Sequence, residues 1–228
     1  RDTMTEVALI DHNGEGEATA NIQLCTAHWY GGNREQSCEN TVKSVKKLLG
    51  GIQIDGYYEL NMSEIPKLNN MVDGVTVTLE DDFSKKYPKM KKGATINLDD
   101  EQAYAYVHDR YGVGDEENTS RMKRQQQYMT GFFKKLQEKV KANPNYANEV
   151  FESLQDVSTT DITIGKISNI SNIFASGTDK GIFELAGKSK IGQALGDEID
   201  HMEFYVNKKA MVSTMSELFG IVEQKNKE

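Results

Sequence analysis

Arg121, Arg124, Gln125 and Tyr128 recur at i, i+3, i+4 and i+7, a spacing that places four polar side chains on one face of an α-helix. The chemistry this offers is anion binding. A helix N-terminus presents free N–H groups and the positive end of its dipole, and two guanidinium groups in its first turns add fixed charge. Arginine suits a phosphate in particular, because its planar fork donates to two oxygens at once and lysine does not. A solvated basic face has the same spacing, so spacing alone suggests an oxyanion site without establishing one.

The elements that must position these residues lie between Ala94 and Val140. The pattern predicts a short strand, a helix over 101–110 capped from Asp99 or Asp100, a polar loop broken by Gly112 and Gly114, and a long helix. Asn118, Thr119 and Ser120 are candidate caps for that long helix, and Met122, Met129, Phe133, Leu136 and Val140 form its expected buried stripe.

These residues resemble a known family. LDDEQAYAYVHDR, followed after a polar loop by SRMKRQQ, is similar to the late arginine motif of the LytR-CpsA-Psr proteins. The opening RDTM, the piece IDGYYELNMSEIPKLNNMVDGVTVTL and the tail EFYVNKKAMVSTMSELFG agree with the family in the same order. The resemblance implies an α/β fold, an α-β-α layered domain with a central mixed β-sheet, as one domain over 1–228. It implies a bacterial envelope enzyme that transfers a glycopolymer, of teichoic acid or capsule type, from a polyprenyl-pyrophosphate carrier to peptidoglycan. By the same resemblance Arg1, Arg110, Arg121, Arg124 and Gln125 surround the pyrophosphate, with Arg1 and Arg110 as catalytic residues and Mg²⁺ as cofactor. A non-catalytic module that holds polyprenyl phosphate or wall polymer is the alternative.

The chain departs from the family pattern in two places. The Asp-and-Arg motif of the family's upstream strand would precede Arg1, so the sequence reads as an N-terminally truncated piece and its metal ligand stays unassigned. An Arg-x-Arg in the first helix is replaced by His108-Asp109-Arg110, which exchanges a fixed charge for one that titrates near neutrality. A pair with Asp109 or Asp115 is the ordinary alternative for Arg110.

Composition narrows the partners. A net charge of −8 argues against a nucleic-acid binder and against broad adsorption to an anionic membrane. No apolar run approaches the roughly 20 residues that span a bilayer, so the extracytoplasmic location implied by the family requires a membrane anchor upstream of Arg1. Cys25 and Cys38 fit no metal cluster; a bridge between them is topologically possible, and no histidine is an obvious partner for a catalytic thiol. Trp29 is expected in the core. Glu80, Asp81 and Asp82 are expected to form a solvated turn, and KKYPKMKKG an exposed basic loop.

The remaining pattern alternates strands and helices. Helices are expected over 23–30, 37–49 (Val42, Val45 and Leu49 inward) and 167–174 (Ile170, Ile173 and Phe174 inward), and over 208–219 with Met211, Met215 and Leu218 packed. Strands are expected over 52–60, at Val75, Val77 and Leu79, over 182–186 and over 202–206.

Overall fold

Over the residues described, 2–16 and 18–220, the computed structural model alternates strands with helices. In chain order they are β1 (Met4–Ala8), β2 (Thr19–Gln23), a 3-10 helix (Leu24–Trp29), α1 (Arg34–Leu48), β3 (Tyr58–Leu60), α2 (Ile65–Met71), β4 (Thr76–Thr78) and β5 (Thr95–Asn97). There follow α3 (Asp100–His108), α4 (Asn118–Ala142), α5 (Tyr146–Ser153), β6 (Ser158–Thr160), α6 (Ile164–Ser176), β7 (Gly187–Gly192), β8 (His201–Val206) and α7 (Lys208–Phe219). The class is α/β, as the sequence pattern requires. No helix among the described residues is long and apolar enough to cross a membrane.

The chain divides into two compact units, the first made of residues 1–59, 159–161 and 183–228. In it β1 pairs antiparallel with β2, Met4 opposite Gln23 and Ala8 opposite Thr19. β7 pairs antiparallel with β8, Gly187 opposite Val206. A parallel bridge between Thr3 and Phe204 joins the two pairs, and the Phe204 N–H donates to the Asp2 carbonyl at 2.8 Å. Each pair nevertheless remains a two-stranded antiparallel sheet, so the strands described form small sheets linked here by one isolated parallel bridge. α1 is capped by Asn33, whose side chain accepts from the Gln36 N–H at 2.9 Å. Its buried residues are Ser37, Cys38, Asn40 and Ser44, whereas Val42, Val45 and Leu49, expected inward, are only half-buried. Small side chains let the helix backbone come close, and Asn40 uses that approach to donate to the carbonyls of Ala8 (3.0 Å) and Ala27 (2.9 Å).

Several expectations in this unit are corrected. Residues 23–30 form a strand end and a 3-10 turn rather than an α-helix, and Trp29 is 69% exposed instead of packed in the core. The strand expected over 182–186 begins at Gly187, and that expected over 52–60 shrinks to β3. α7 matches its expected range; Asn207 caps it, Met211 and Met215 are buried, and Gly220 closes it at φ +65°.

The second unit comprises residues 60–158 and 162–182. β4 and β5 pair antiparallel, Thr76 opposite Asn97. Val75, Val77 and Leu79 are buried with Val72, Phe83, Met90, Leu98, Tyr106, Tyr128 and Phe132, the alternation read from GVTVTL. Buried Asn69 ties the layers: its amide donates to the Leu98 carbonyl (2.9 Å), and its oxygen accepts from the Val75 N–H (3.1 Å) and the Tyr128 hydroxyl (3.2 Å). α4 meets β4 at Gly131, where a Cβ would lie 2.6 Å from Val75 Cγ1. α6 exposes Ile170 and, at 72%, Ile173, both expected inward, while Phe174 meets Phe133 edge-on at 6.2 Å. That contact turns α6 so that Ser171 faces the interior.

Candidate functional site

α4 carries three of the predicted site residues and a fourth, Arg110, follows the end of α3; the needs of the α3 C-terminus explain where two of them go. α3 opens with a capping box: Asp99 accepts from the Gln102 N–H at 2.9 Å, and Gln102 accepts from the Asp99 N–H at 3.2 Å. At its other end the last carbonyls lack intrahelical donors. α4 supplies them. Arg124 Nε donates to the Tyr106 carbonyl at 2.9 Å, Gln125 Nε2 donates to the Val107 carbonyl at 2.9 Å, and Arg124 Nη2 donates to the Asp109 carbonyl. Arg124 Nη1 pairs with the Asp81 carboxylate, and its guanidinium lies 5.3 Å from the centre of the Phe83 ring. At 2% exposure Arg124 is buried, with Nε and both terminal nitrogens bonded.

This corrects the expected faces of the N-terminal part of α4, while Leu136 and Val140 lie inward as expected. The row Arg124, Tyr128, Phe132 and Val140 is buried, and Met122, Met129 and Phe133, read as the buried stripe, are exposed. Tyr106 and Tyr128 are interior too; burial pushes both phenols above the usual tyrosine range, against the opposing pull of Arg124 on Tyr106. Tyr106 donates its hydroxyl proton to Gln127.

Arg110 and Arg121 flank the loop between the two helices, and each retains an unmet donor. Arg110 lies on the Tyr111 ring, its guanidinium carbon 4.3 Å from the centroid, and donates Nη2 to the Tyr111 hydroxyl rather than pairing with Asp109 or Asp115. Arg121 donates Nη2 to Asn118 Oδ1 at 2.6 Å. The Nε atoms of both arginines are buried without an acceptor. Arg1 lies outside the described residues. His108 stacks on Tyr104 at 4.8 Å between ring centres and sits 3.2 Å from Asp109 Oδ1. Asp109 also binds Lys86 at 3.2 Å, and that bond holds the Lys86 ammonium above its ordinary range.

The carboxylates after β4 do not converge. Asp81 turns inward to Arg124, correcting the solvated turn expected for it, while Asp82 accepts from the Ser84 N–H at 2.7 Å in its own loop. Mg²⁺ takes an octahedral shell of oxygens, usually one or two carboxylates completed by waters and substrate phosphates. Among the described residues the cluster of three potential ligands that comes together is His28, Cys38 and Glu59, a sulfur–nitrogen–oxygen set that does not suit this hard cation. Around the arginines no group of three such ligands converges among the described residues. A hollow of about 480 Å³ opens at the start of α3, lined by Asn69, Asn97, Asp99, Asp100 and others, and its acidic wall disfavours an anion. No disulfide joins Cys25 and Cys38, and the histidine partner the sequence did not reveal is His28, whose Nε2 lies 3.7 Å from Cys38 Sγ.

Sequence reasoning missed Asp81 and the His28–Cys38 pair. The carbonyl shortage at the end of so short a helix could have hinted at the role of Arg124; nothing local marks the other two.

Comparison with known proteins identifies one family and several solved structures of similar fold. The profile of the LytR_cpsA_psr family matches residues 1–219. Among solved structures, a transcriptional regulator from Enterococcus faecalis aligns over 98% of this chain and 76% of its own, at 19% identity and a TM-score of 0.69. TagV of B. subtilis aligns over 97% and 82%, at 20% identity and a TM-score of 0.66. TagT bound to LIIa-WTA aligns over 93% and 75%, at 19% identity and a TM-score of 0.63. At these identities the likeness concerns the fold. No curated protein sequence matches the chain.

Proposed function

The chain belongs to the LytR_cpsA_psr family, and from that premise we propose that it is an extracytoplasmic phosphotransferase that moves a glycopolymer from a polyprenyl-pyrophosphate carrier to peptidoglycan. The observation that carries this reading is the pair of buried, unsatisfied Nε donors on Arg110 and Arg121. A buried donor without an acceptor is costly, and a phosphate oxygen reaching either of them would relieve that cost. The exposed Met122, Met129 and Phe133 on the same helix as Arg121 add an apolar surface that suits a lipid tail. TagT, a relative by fold, was solved with LIIa-WTA, which supports a wall glycopolymer as cargo.

In this reaction a sugar hydroxyl of peptidoglycan attacks the phosphorus that carries the glycopolymer. The bond from that phosphorus to the bridging oxygen breaks, polyprenyl phosphate departs with the electron pair, and the hydroxyl proton is released to water. Charge accumulates on non-bridging oxygens and on the leaving phosphate, so fixed donors lower the barrier. Arg110 and Arg121 act on those oxygens, and Arg1 joins them by family resemblance. Arg124 and Gln125 act as positioning residues, holding the α3 terminus against α4. The commitment of Arg124 to Asp81, together with His108 in an arginine position, favours as a second reading a module that binds the carrier without turnover.

Thermal unfolding with a soluble short-chain polyprenyl pyrophosphate tests binding. A ligand at 100-fold over its Kd stabilises the folded state by about 2.7 kcal/mol, about 5–11 °C in midpoint for a chain of this size. Arg110→Ala and Arg121→Ala are expected to keep the unliganded midpoint and lose the shift; a full shift in both variants overturns the assignment. Turnover of lipid-linked donor by the membrane-anchored protein then separates enzyme from binding module.

A further inference from the structure

We infer that His28, Cys38 and Glu59 form a binding site for a single Zn²⁺ ion within the first unit. Their ligand atoms, one from each side chain, lie within 4.8 Å of one another. Tetrahedral zinc with its usual bond lengths to nitrogen and sulfur sets those two ligands about 3.6 Å apart, and His28 Nε2 lies 3.7 Å from Cys38 Sγ. The ligands come from three elements, the 3-10 helix, α1 and β3, so no local turn explains their meeting.

The surroundings hold two of these elements in place. Asn40, two residues after Cys38, donates to the Ala27 carbonyl beside His28 at 2.9 Å, locking α1 to the 3-10 helix. Arg34 fixes the Glu59 carboxylate by donating Nε (3.1 Å) and Nη2 (2.6 Å) to the same oxygen, Oε2. Oε1 is therefore the oxygen left to a metal, with the arginine in the supporting shell that metal carboxylates normally have. Cys38 is buried and His28 partly exposed, so a metal would sit at the edge of the unit with a fourth position toward solvent. Thiolate, imidazole and carboxylate together select zinc over magnesium or calcium, which take oxygen shells. In binding, the Cys38 thiol gives up its proton to solvent and the sulfur lone pair forms the metal bond; no redox change is involved.

The test uses the whole chain, stripped with a chelator and titrated with Zn²⁺ by calorimetry and with Co²⁺ by absorption. One equivalent is expected to bind, the Co²⁺ form is expected to show a thiolate-to-metal charge-transfer band, and saturating Zn²⁺ is expected to raise the unfolding midpoint. Cys38→Ser is expected to abolish the band and weaken Zn²⁺ at least tenfold, His28→Ala to weaken it at least tenfold, and Cys25→Ser to change nothing. Absence of the charge-transfer band in the wild-type chain overturns the site, a readout that holds even if Cys38→Ser fails to fold. Equal Zn²⁺ affinity in His28→Ala, on a partly exposed residue, overturns it as well.

Discussion

Arg124 illustrates how one side chain type serves two different ends. In sequence it stands with Arg121 as a phosphate ligand; in the fold its guanidinium satisfies two carbonyls near the end of α3 and the carboxylate of Asp81. Removing one member of a buried, hydrogen-bonded charge pair leaves the other uncompensated and costs about 3–5 kcal/mol. Arg124→Ala is therefore expected to destabilise the chain by that amount in urea unfolding, whether or not ligand is present. Arg124→Met with Asp81→Leu removes both charges, yet is expected to recover only part of the loss, because the Tyr106 and Asp109 carbonyls stay unpaired. Full recovery would show that the charge pair alone matters and that the carbonyl bonds contribute nothing.

At the scale of elements, the loop between α3 and α4 and the packing of α4 decide which arginines face a ligand. The loop turns at Gly114, φ +56°, where an added Cβ would fall 2.4 Å from Asp81 Oδ1. A side chain there both strains the backbone and displaces the carboxylate that holds Arg124. Gly114→Ala is expected to cost about 1–3 kcal/mol, read from the denaturation midpoint, and to mobilise Arg124; an unchanged midpoint would mean that the Asp81 pair is not held by the loop. The same reasoning explains why the apolar stripe of α4 was misassigned. Leu136 and Val140 were placed correctly, but nearer the N-terminus the helix turns its polar row inward because only that row can donate to the end of α3.

For the whole molecule, two units with unequal interiors imply unequal stability. The second unit buries a continuous cluster from Val72 to Phe132 around β4, α3 and α4. In the first, Val7, Ile22 and Ala27 form a small cluster beneath partly buried neighbours, and much of the α1 interface is polar. Local opening free energy follows buried apolar contact. Hydrogen exchange is therefore expected to be slowest at Val75, Val77 and Leu98 and faster at Val7 and Ile22. The reverse order would show that strand pairing, not the apolar cluster, sets protection.

What the sequence by itself determined follows from local physics. Alternation placed Val75, Val77 and Leu79 inside, capping chemistry placed the start of α3, and helical periodicity placed α7 over 208–219. The ordered motifs named the family, because they need only residue order. The tertiary structure alone decided how donors and acceptors were shared. Exposure of Trp29, burial of Arg124 against Asp81, the free Nε atoms of Arg110 and Arg121, and the meeting of His28, Cys38 and Glu59 each depend on residues distant in the chain or on how an element is turned against its neighbours. Helical or strand spacing fixes which side chains share a face. It does not fix which face turns inward, since that is settled by the polar groups a neighbouring element leaves unpaired and by the apolar area it offers to cover.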